Sequence, residues 1–448
     1  MESVRGDGTT VPVSDVTGVV RGREVGDGPV RSFLDAVGRP RLAWSDATTT
    51  IAGGGGAATL VADGTNRVEA VRSGATRLFD GLSTPETLPR GARPRLFGGF
   101  AFHENDVESA PGETWNGYPG ALFVLPAIQL SVTADGTWLT AAATGENAHD
   151  DATRRLDRWE RRLDTLPELA RSEPPGITVE NPTPSREGWR EQVTDAVEKV
   201  RAGDLRKVVL AQALDVELAG RADVPGALTR LSETYPGCHR FLFEPQGGGI
   251  FFGATPERLV TLRGRTVLTE ALAGSTGRGE TTSEDEWLAA RLRKSEKDVH
   301  EHELVVEAIR DQLAPVAEKV TTGNRTVRRL ATVQHLRTPI RAQLASDEHV
   351  LSLVEALHPT PAVGGLPPDA ALRTIRETEN FDRGWYASPV GWLDGNGDGT
   401  FAVAIRSALA RGRSATLFAG AGIVADSDPE EEWDELQLKY GPMRDELE

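Results

Sequence analysis

Apolar runs closed by glycine, Asp-Gly or asparagine recur along this chain, and many neighbouring runs are joined by only a few residues. Examples are "LAWSDATTTIAGGGGAATLVA" at 42–62, "ALFVLPAIQLSVTADGTWLTAAAT" at 121–144, "HRFLFEPQGGGIFFGA" at 239–254 and the stretch 386–424. Such turns join antiparallel strands, because a parallel pair needs a crossover of about a dozen residues or more. Helical patterns are interspersed over 150–171, 185–203, 224–236, about 283–314 and 347–357, with a last one from near Asp428. The expectation is an α+β fold on antiparallel sheets rather than a βαβ barrel. The segment 171–189 holds four prolines and divides a strand-rich N-terminal lobe with its linker, 1–180, from the region 181–448.

The chain has 448 residues, 38% of them hydrophobic, which suffices for a large core. A net charge of −17, from 67 acidic and 50 basic residues, argues against nucleic acid or an anionic membrane as partner. The single cysteine, Cys238, excludes an intramolecular disulfide and a cysteine-based metal site, and reads as an inert small residue. The N-terminal "MESVRGDGTTVPVSD" is polar and acidic, without the apolar core of a signal peptide. No run approaches the roughly 18 apolar residues of a membrane span. A cytoplasmic location is expected, with monomer as the default state.

Several stretches imitate sites. "GGGG" at 53–56 lacks a following Lys-Ser/Thr and a helix, so it reads as a turn and not a phosphate loop. "DGNGDG" at 394–399 resembles the start of a calcium loop, but its twelfth position is Ile405, where a bidentate carboxylate is required; a hairpin turn is expected. His300 and His302 stand two apart, on opposite sides of a helix, and cannot chelate one ion there.

Other residues are of the types and spacings that carry chemistry. Asp298 with Glu301, and Glu432 with Glu435, stand at i,i+3 spacing, so each pair projects from one helix face. Singly such pairs are usually solvated. Together they offer the all-oxygen donor set that Mg²⁺ accepts. Glu257 in "FFGATPERLV" follows a hydrophobic strand at a Thr-Pro turn, and a carboxyl at the mouth of an apolar pocket can serve as a general acid. Its bland alternative is a strand-end glutamate in solvent. Lys207 opens the apolar run "KVVLAQALDVEL" in a chain with six lysines. It is either a snorkelling strand-start lysine or a buried general base.

From about residue 181 onward the chain resembles the chorismate-utilising enzymes: the isochorismate, salicylate, anthranilate and aminodeoxychorismate synthases. The motifs run in family order. They are "KVVLAQ" at 207–212, "GATPERL" at 253–259, "ALAGS" at 271–275, "SEKDVHEHELV" at 295–305 and "HPTPAVGG" at 358–365. After these come "FDRGWYASPVGW" at 381–392, "AIRSA" at 404–408, "LFAGAGIV" at 417–424 and "SDPEEEWDELQLK" at 427–439. "FGGFAFHE" at 97–104 adds a weaker match.

The resemblance implies two antiparallel sheets packed face to face, helices outside and the active site in the cleft between them. It implies Glu301 and Glu432 as Mg²⁺ ligands, with Asp298 and Glu435 as neighbouring carboxylates. Arg406 and Lys439 would lie near the carboxylates of the substrate, chorismate. Backbone N–H groups of Gly274–Ser275 and of Gly420, Ala421 and Gly422 would donate to them, and His358 would line the ring pocket. Lys207 stands where the family's water-using members carry lysine, while Ala273 replaces the nucleophilic lysine of the aminodeoxychorismate branch. The implied activity is therefore Mg²⁺-dependent isochorismate formation, feeding quinone or siderophore synthesis: Lys207 activates water for attack at C2 and Glu257 protonates the leaving C4 hydroxyl. Salicylate synthesis is the nearest alternative; an anthranilate synthase component or a non-catalytic chorismate-binding subunit stand further off. Gln212, where related sequences have arginine, suggests a missing charge near the pocket.

Overall fold

The computed structural model describes residues 3–6, 9–12, 17–26, 28–104 and 113–448; the remainder of the polar N-terminal stretch lies outside the described residues. Its frame is a hydrogen-bonded ladder that doubles back on itself. From Lys207–Leu218 the ladder passes to Ser414–Ile423, Ser407–Arg411, Ile250–Thr255, His239–Glu244 and Arg41–Ser45. It continues through Thr49–Ala62 and Ala121–Thr133 to Arg95–Phe100. From there it runs through Pro389–Asp394, Gly399–Val403, Arg258–Arg263 and Thr266–Gly277 to Val333–Leu344. Every pairing on this path is antiparallel. Its two ends line one cavity, so the two expected layers are arms of a single ladder, and the fold is α+β as the turns imply.

Local sequence explains the element ends. In Arg186–Ala202 the Ser185 hydroxyl accepts from the N–H of Gly188, and Gly203 closes the helix at φ 89°, a conformation glycine reaches without penalty. The helical pattern over 283–314 is two helices, Thr282–Lys294 and Glu296–Leu313. Ser295 ends the first in extended backbone and caps the second, its Oγ accepting from the N–H of Asp298 at 3.2 Å. "GGGG" is not a turn: it lies within the strand Thr49–Ala62, which bulges between Gly56 and Ala58. "DGNGDG" does form the hairpin between Pro389–Asp394 and Gly399–Val403.

The helices Glu296–Leu313 and Pro429–Arg444 pack against Thr266–Gly277 and Ser414–Ile423, one on each arm. Both carboxylate pairs are thereby carried to the same place. No helix among the described residues is long and apolar enough to cross a membrane.

Candidate active site

Alternation along the strands decides which side chains reach the cavity between the arms. Lys207 and Val209 reach it from one strand and Gly420 and Gly422 from its partner, with Leu272, Ala273, Gly274 and Ser275 facing them from the other arm. Lys207 is 1% exposed, and its Nζ donates to Glu301 Oε1 at 2.8 Å. It does not snorkel. A Cβ at Gly422 would lie 2.8 Å from that Glu301 oxygen and 2.9 Å from Lys207 Cε, so glycine there leaves room for the ion pair.

Glu257 is buried on the same cavity. Burial, then the charge of Glu270, pushes its carboxyl up from 4.5 to about 7, against the opposing pull of Lys207, Thr360 and Arg406. Thr360 Oγ1 donates to its Oε1 at 3.4 Å, and its own N–H donates to Thr255 Oγ1 at 3.1 Å. A buried carboxyl that titrates near neutrality is suited to giving up a proton.

Beyond this pair the cavity is lined by cationic and hydrogen-bonding groups. Arg406 is buried at φ 52°, a left-handed backbone rare for a residue with a side chain. Its Nη2 lies 3.4 Å from His335 Nε2, and His335 Nδ1 lies 2.9 Å from Ser275 Oγ. Burial first, then Arg406 and Lys439, hold His335 well below the usual imidazole range, leaving it neutral. Lys439 Nζ reaches Glu435 Oε1 at 2.6 Å and donates to Gly420 O at 2.7 Å. Gly274 sits at φ 74° in a bulge of its strand, and a Cβ there would lie 3.1 Å from Asp298 Cβ. His302, far from chelating a metal, is buried between Ala273 O at 3.2 Å and Thr338 Oγ1 at 2.8 Å and ties the helix to that bulge.

The expected ligands Glu301 and Glu432, and the neighbouring Asp298 and Glu435, stand on two helices that one lysine bridges. Lys297 Nζ donates to Glu432 Oε1 at 3.2 Å across the helices. Burial, followed by the charge of Glu435, pushes Glu432 up; burial, followed in part by the charges of Glu301 and Glu435, pushes Asp298 up. Burial acts on Glu435 in the same sense, but Lys439 and Lys297 hold it down. Hard oxygen donors pressing on one another are chemically suited to a divalent cation. Three lysines pair with Glu301, Glu432 and Glu435, and among the described residues no three histidine, cysteine or acidic groups are arranged to hold an ion.

The model for the family described as "Chorismate binding enzyme" matches residues 31–448. The chain belongs to the chorismate-binding enzymes. It is 42% identical over 366 residues to "Salicylate biosynthesis isochorismate synthase" of Pseudomonas aeruginosa, which covers 79% of this chain and 74% of that protein. It is 36% identical to "Isochorismate synthase MenF" of Bacillus subtilis, over 78% and 74% of the two chains. Among solved structures, the menaquinone-specific isochorismate synthase MenF of Escherichia coli superposes with TM-score 0.79 at 26% identity, covering 97% of each chain.

In this chorismate-binding enzyme, Lys207, Glu257, Gly274, Ser275, Glu301, Arg406, Gly420, Gly422, Glu435 and Lys439 line the cavity together. Asp298 and Glu432 lie behind that lining. Ala421 is fully buried and, by strand alternation, its side chain faces the core between Gly420 and Gly422. His358 is also outside the lining. Its ring packs edge-on at 5.5 Å from Phe102, and the residues its motif sends toward the cavity are Thr360, Ala362 and Val363.

Sequence reasoning missed His335 and Tyr386, which do line the cavity. Tyr386 stood inside a recognised motif; His335 is a lone histidine in "TVQHLRT", with no spacing to flag it. Gln212 removes no charge from the pocket. It is fully buried outside the cavity lining, donating to Pro184 O at 2.7 Å and accepting from the Tyr440 hydroxyl at 3.2 Å. Cys238 is buried and its thiol pushed up to about 11, consistent with an inert residue.

Proposed function

We propose that the chain converts chorismate to isochorismate, and that Lys207 and Glu257 do the proton work. One observation carries the reading: a buried amine and a buried carboxyl, the latter pushed up by burial to about 7, share one cavity, with Arg406 and Lys439 there to receive carboxylates. Water would lose a proton to Lys207 and attack C2 of the ring. The double bonds shift, and the C4 hydroxyl leaves as water, taking the proton of Glu257. Lys207 Nζ is held in place by the hydrogen bond to Glu301 Oε1 at 2.8 Å. Ala273 offers no nucleophile for a covalent adduct.

Glu301 and Glu432, with Asp298 and Glu435 beside them, would hold Mg²⁺. Bound there, the ion would supply positive charge toward the substrate carboxylates. All lining residues of the cavity fall between 207 and 439 of one chain, which supports 181–448 as the catalytic region, 1–180 as its supporting lobe, and a working monomer. A cytoplasmic location is part of the same reading.

Incubation with chorismate and Mg²⁺, followed by chromatography and a pyruvate assay, tests this. Isochorismate without pyruvate is expected; stoichiometric pyruvate would identify salicylate synthesis instead. Because the acid must be protonated, kcat/KM is expected to fall as pH rises through about 7. Stability follows the same sign. A folded carboxyl raised from 4.5 to about 7 imposes no cost below 4.5 and an increasing one up to about 7. Melting temperatures at pH 5 and 8 should therefore converge in Glu257→Gln relative to the parent.

A further inference from the structure

Glu270 has no part in the chemistry above, yet it is a buried carboxylate, 4% exposed, on the strand Thr266–Gly277 that also supplies Gly274 and Ser275. Burying a charge is costly unless it is paired, and two arginines pair it. Arg337 Nε donates to Oε2, and Arg328 Nη1 lies 3.2 Å from Oε1. The same Arg328 nitrogen donates at 2.7 Å to the carbonyl of Pro256, while Nη2 donates to Gly237 O. The Pro256 carbonyl belongs to the peptide whose N–H is that of Glu257. Strand register agrees: Thr261 pairs with Leu268 and Thr269 Oγ1 donates to Leu259 O at 2.6 Å, which carries Glu270 toward the turn holding Glu257.

We propose that Glu270, clamped by Arg328 and Arg337, is a positioning residue for Glu257: it fixes the peptide bearing the acid and sets a negative charge behind its carboxyl, so that the proton stays on until the leaving group takes it. The proposal rests on the reading of Glu257 as general acid. A plain structural ion pair would not need to reach the Pro256–Glu257 peptide, nor to place a like charge where it bears on the acid.

The groups acting on Glu257 come from several elements. Lys207 opens Lys207–Leu218, Glu270 lies on Thr266–Gly277, Thr360 follows Val350–Leu357, and Arg406 precedes Ser407–Arg411; Tyr386 senses its charge as well. Glu270 in turn faces Arg328 and Arg337, and its charge reaches Cys238 and His239. Those four residues and Glu270 line a second cleft with Arg258 and Arg263, so the clamp stands at a wall shared by two cavities.

The test compares pH profiles of kcat/KM for the parent, Glu270→Gln and Arg337→Gln, each checked for folding by circular dichroism. Removing the negative charge should move the alkaline limb down by about one pH unit, about a tenfold loss at a fixed pH above it. Removing the arginine should move it up. A loss equal at every pH with the limb unmoved, or movement of both variants in one direction, would overturn the proposal. Infrared titration of the carboxyl band that Glu257→Gln deletes reads the proton without turnover. If that band titrates identically in Glu270→Gln and the parent, Glu270 has no hold on Glu257. If the band shifts while Glu257→Gln keeps full activity, the positioning stands and the assignment of the general acid fails.

Discussion

Two glycine-bearing strands hold this molecule together, and their glycines do different work. In Thr49–Ala62 the missing side chains admit the packing of the protein itself: a Cβ on Gly54 would lie 2.3 Å from Val37 Cβ, and one on Gly53 2.8 Å from Pro126 Cβ. In Ser414–Ile423 the glycine at 422 admits charge, since its Cβ would meet Glu301 and Lys207. The first arrangement serves close packing of apolar neighbours. The second clears a space in which an amine and a carboxylate meet. Glycine in a strand pattern announces close approach without saying what approaches.

Substitutions can break this contrast, and the largest effect is expected at the charged face. Lys207→Ala should cut isochorismate formation by about 10²–10⁴-fold, the usual worth of a general base, while the protein still gives a folded circular dichroism spectrum. Gly422→Ala comes next: turnover should fall by about tenfold or more as the lysine–glutamate pair is displaced, with little change in melting temperature. Gly54→Ala should do the reverse, lowering stability by about 1–3 kcal/mol through overpacking while specific activity at low temperature is kept. Equal losses in both assays for the two glycines would erase the distinction. The smallest effect is expected at Gln212→Leu, about 1–2 kcal/mol from the lost bonds to Pro184 and Tyr440, with KM unchanged. A raised KM would return Gln212 to the substrate.

Much of the site was readable because its groups are ionisable and sit at helical or strand-end positions. That Glu301 and Glu435 would line the cavity followed from helical spacing, and Lys207 from its rarity beside an apolar run. What periodicity could not supply is which strands would face one another. His335 becomes a cavity residue only when Val333–Leu344 folds against Thr266–Gly277. The same gap misplaced His358, whose motif turns so that Thr360 and not the imidazole meets Glu257. Ser295 was a different oversight: Ser-x-x-Asp is a capping pattern, and an unbroken helical period hid it.

The ladder that doubles back has a consequence for any attempt to divide the chain. His239–Glu244 borders Arg41–Ser45, and Pro389–Asp394 borders Arg95–Phe100. Cutting near residue 180 and expressing only the C-terminal portion would bare both strands at once. Each is buried along its whole length in the intact protein, and only Arg240 and Glu244 on one, and Pro389 and Asp394 on the other, offer the charge or proline that guards a natural sheet edge. The truncated product would therefore present two adhesive rims to its own copies. For this protein the N-terminal strands act as built-in protection against aggregation, a service rendered by residues that never touch the reacting atoms.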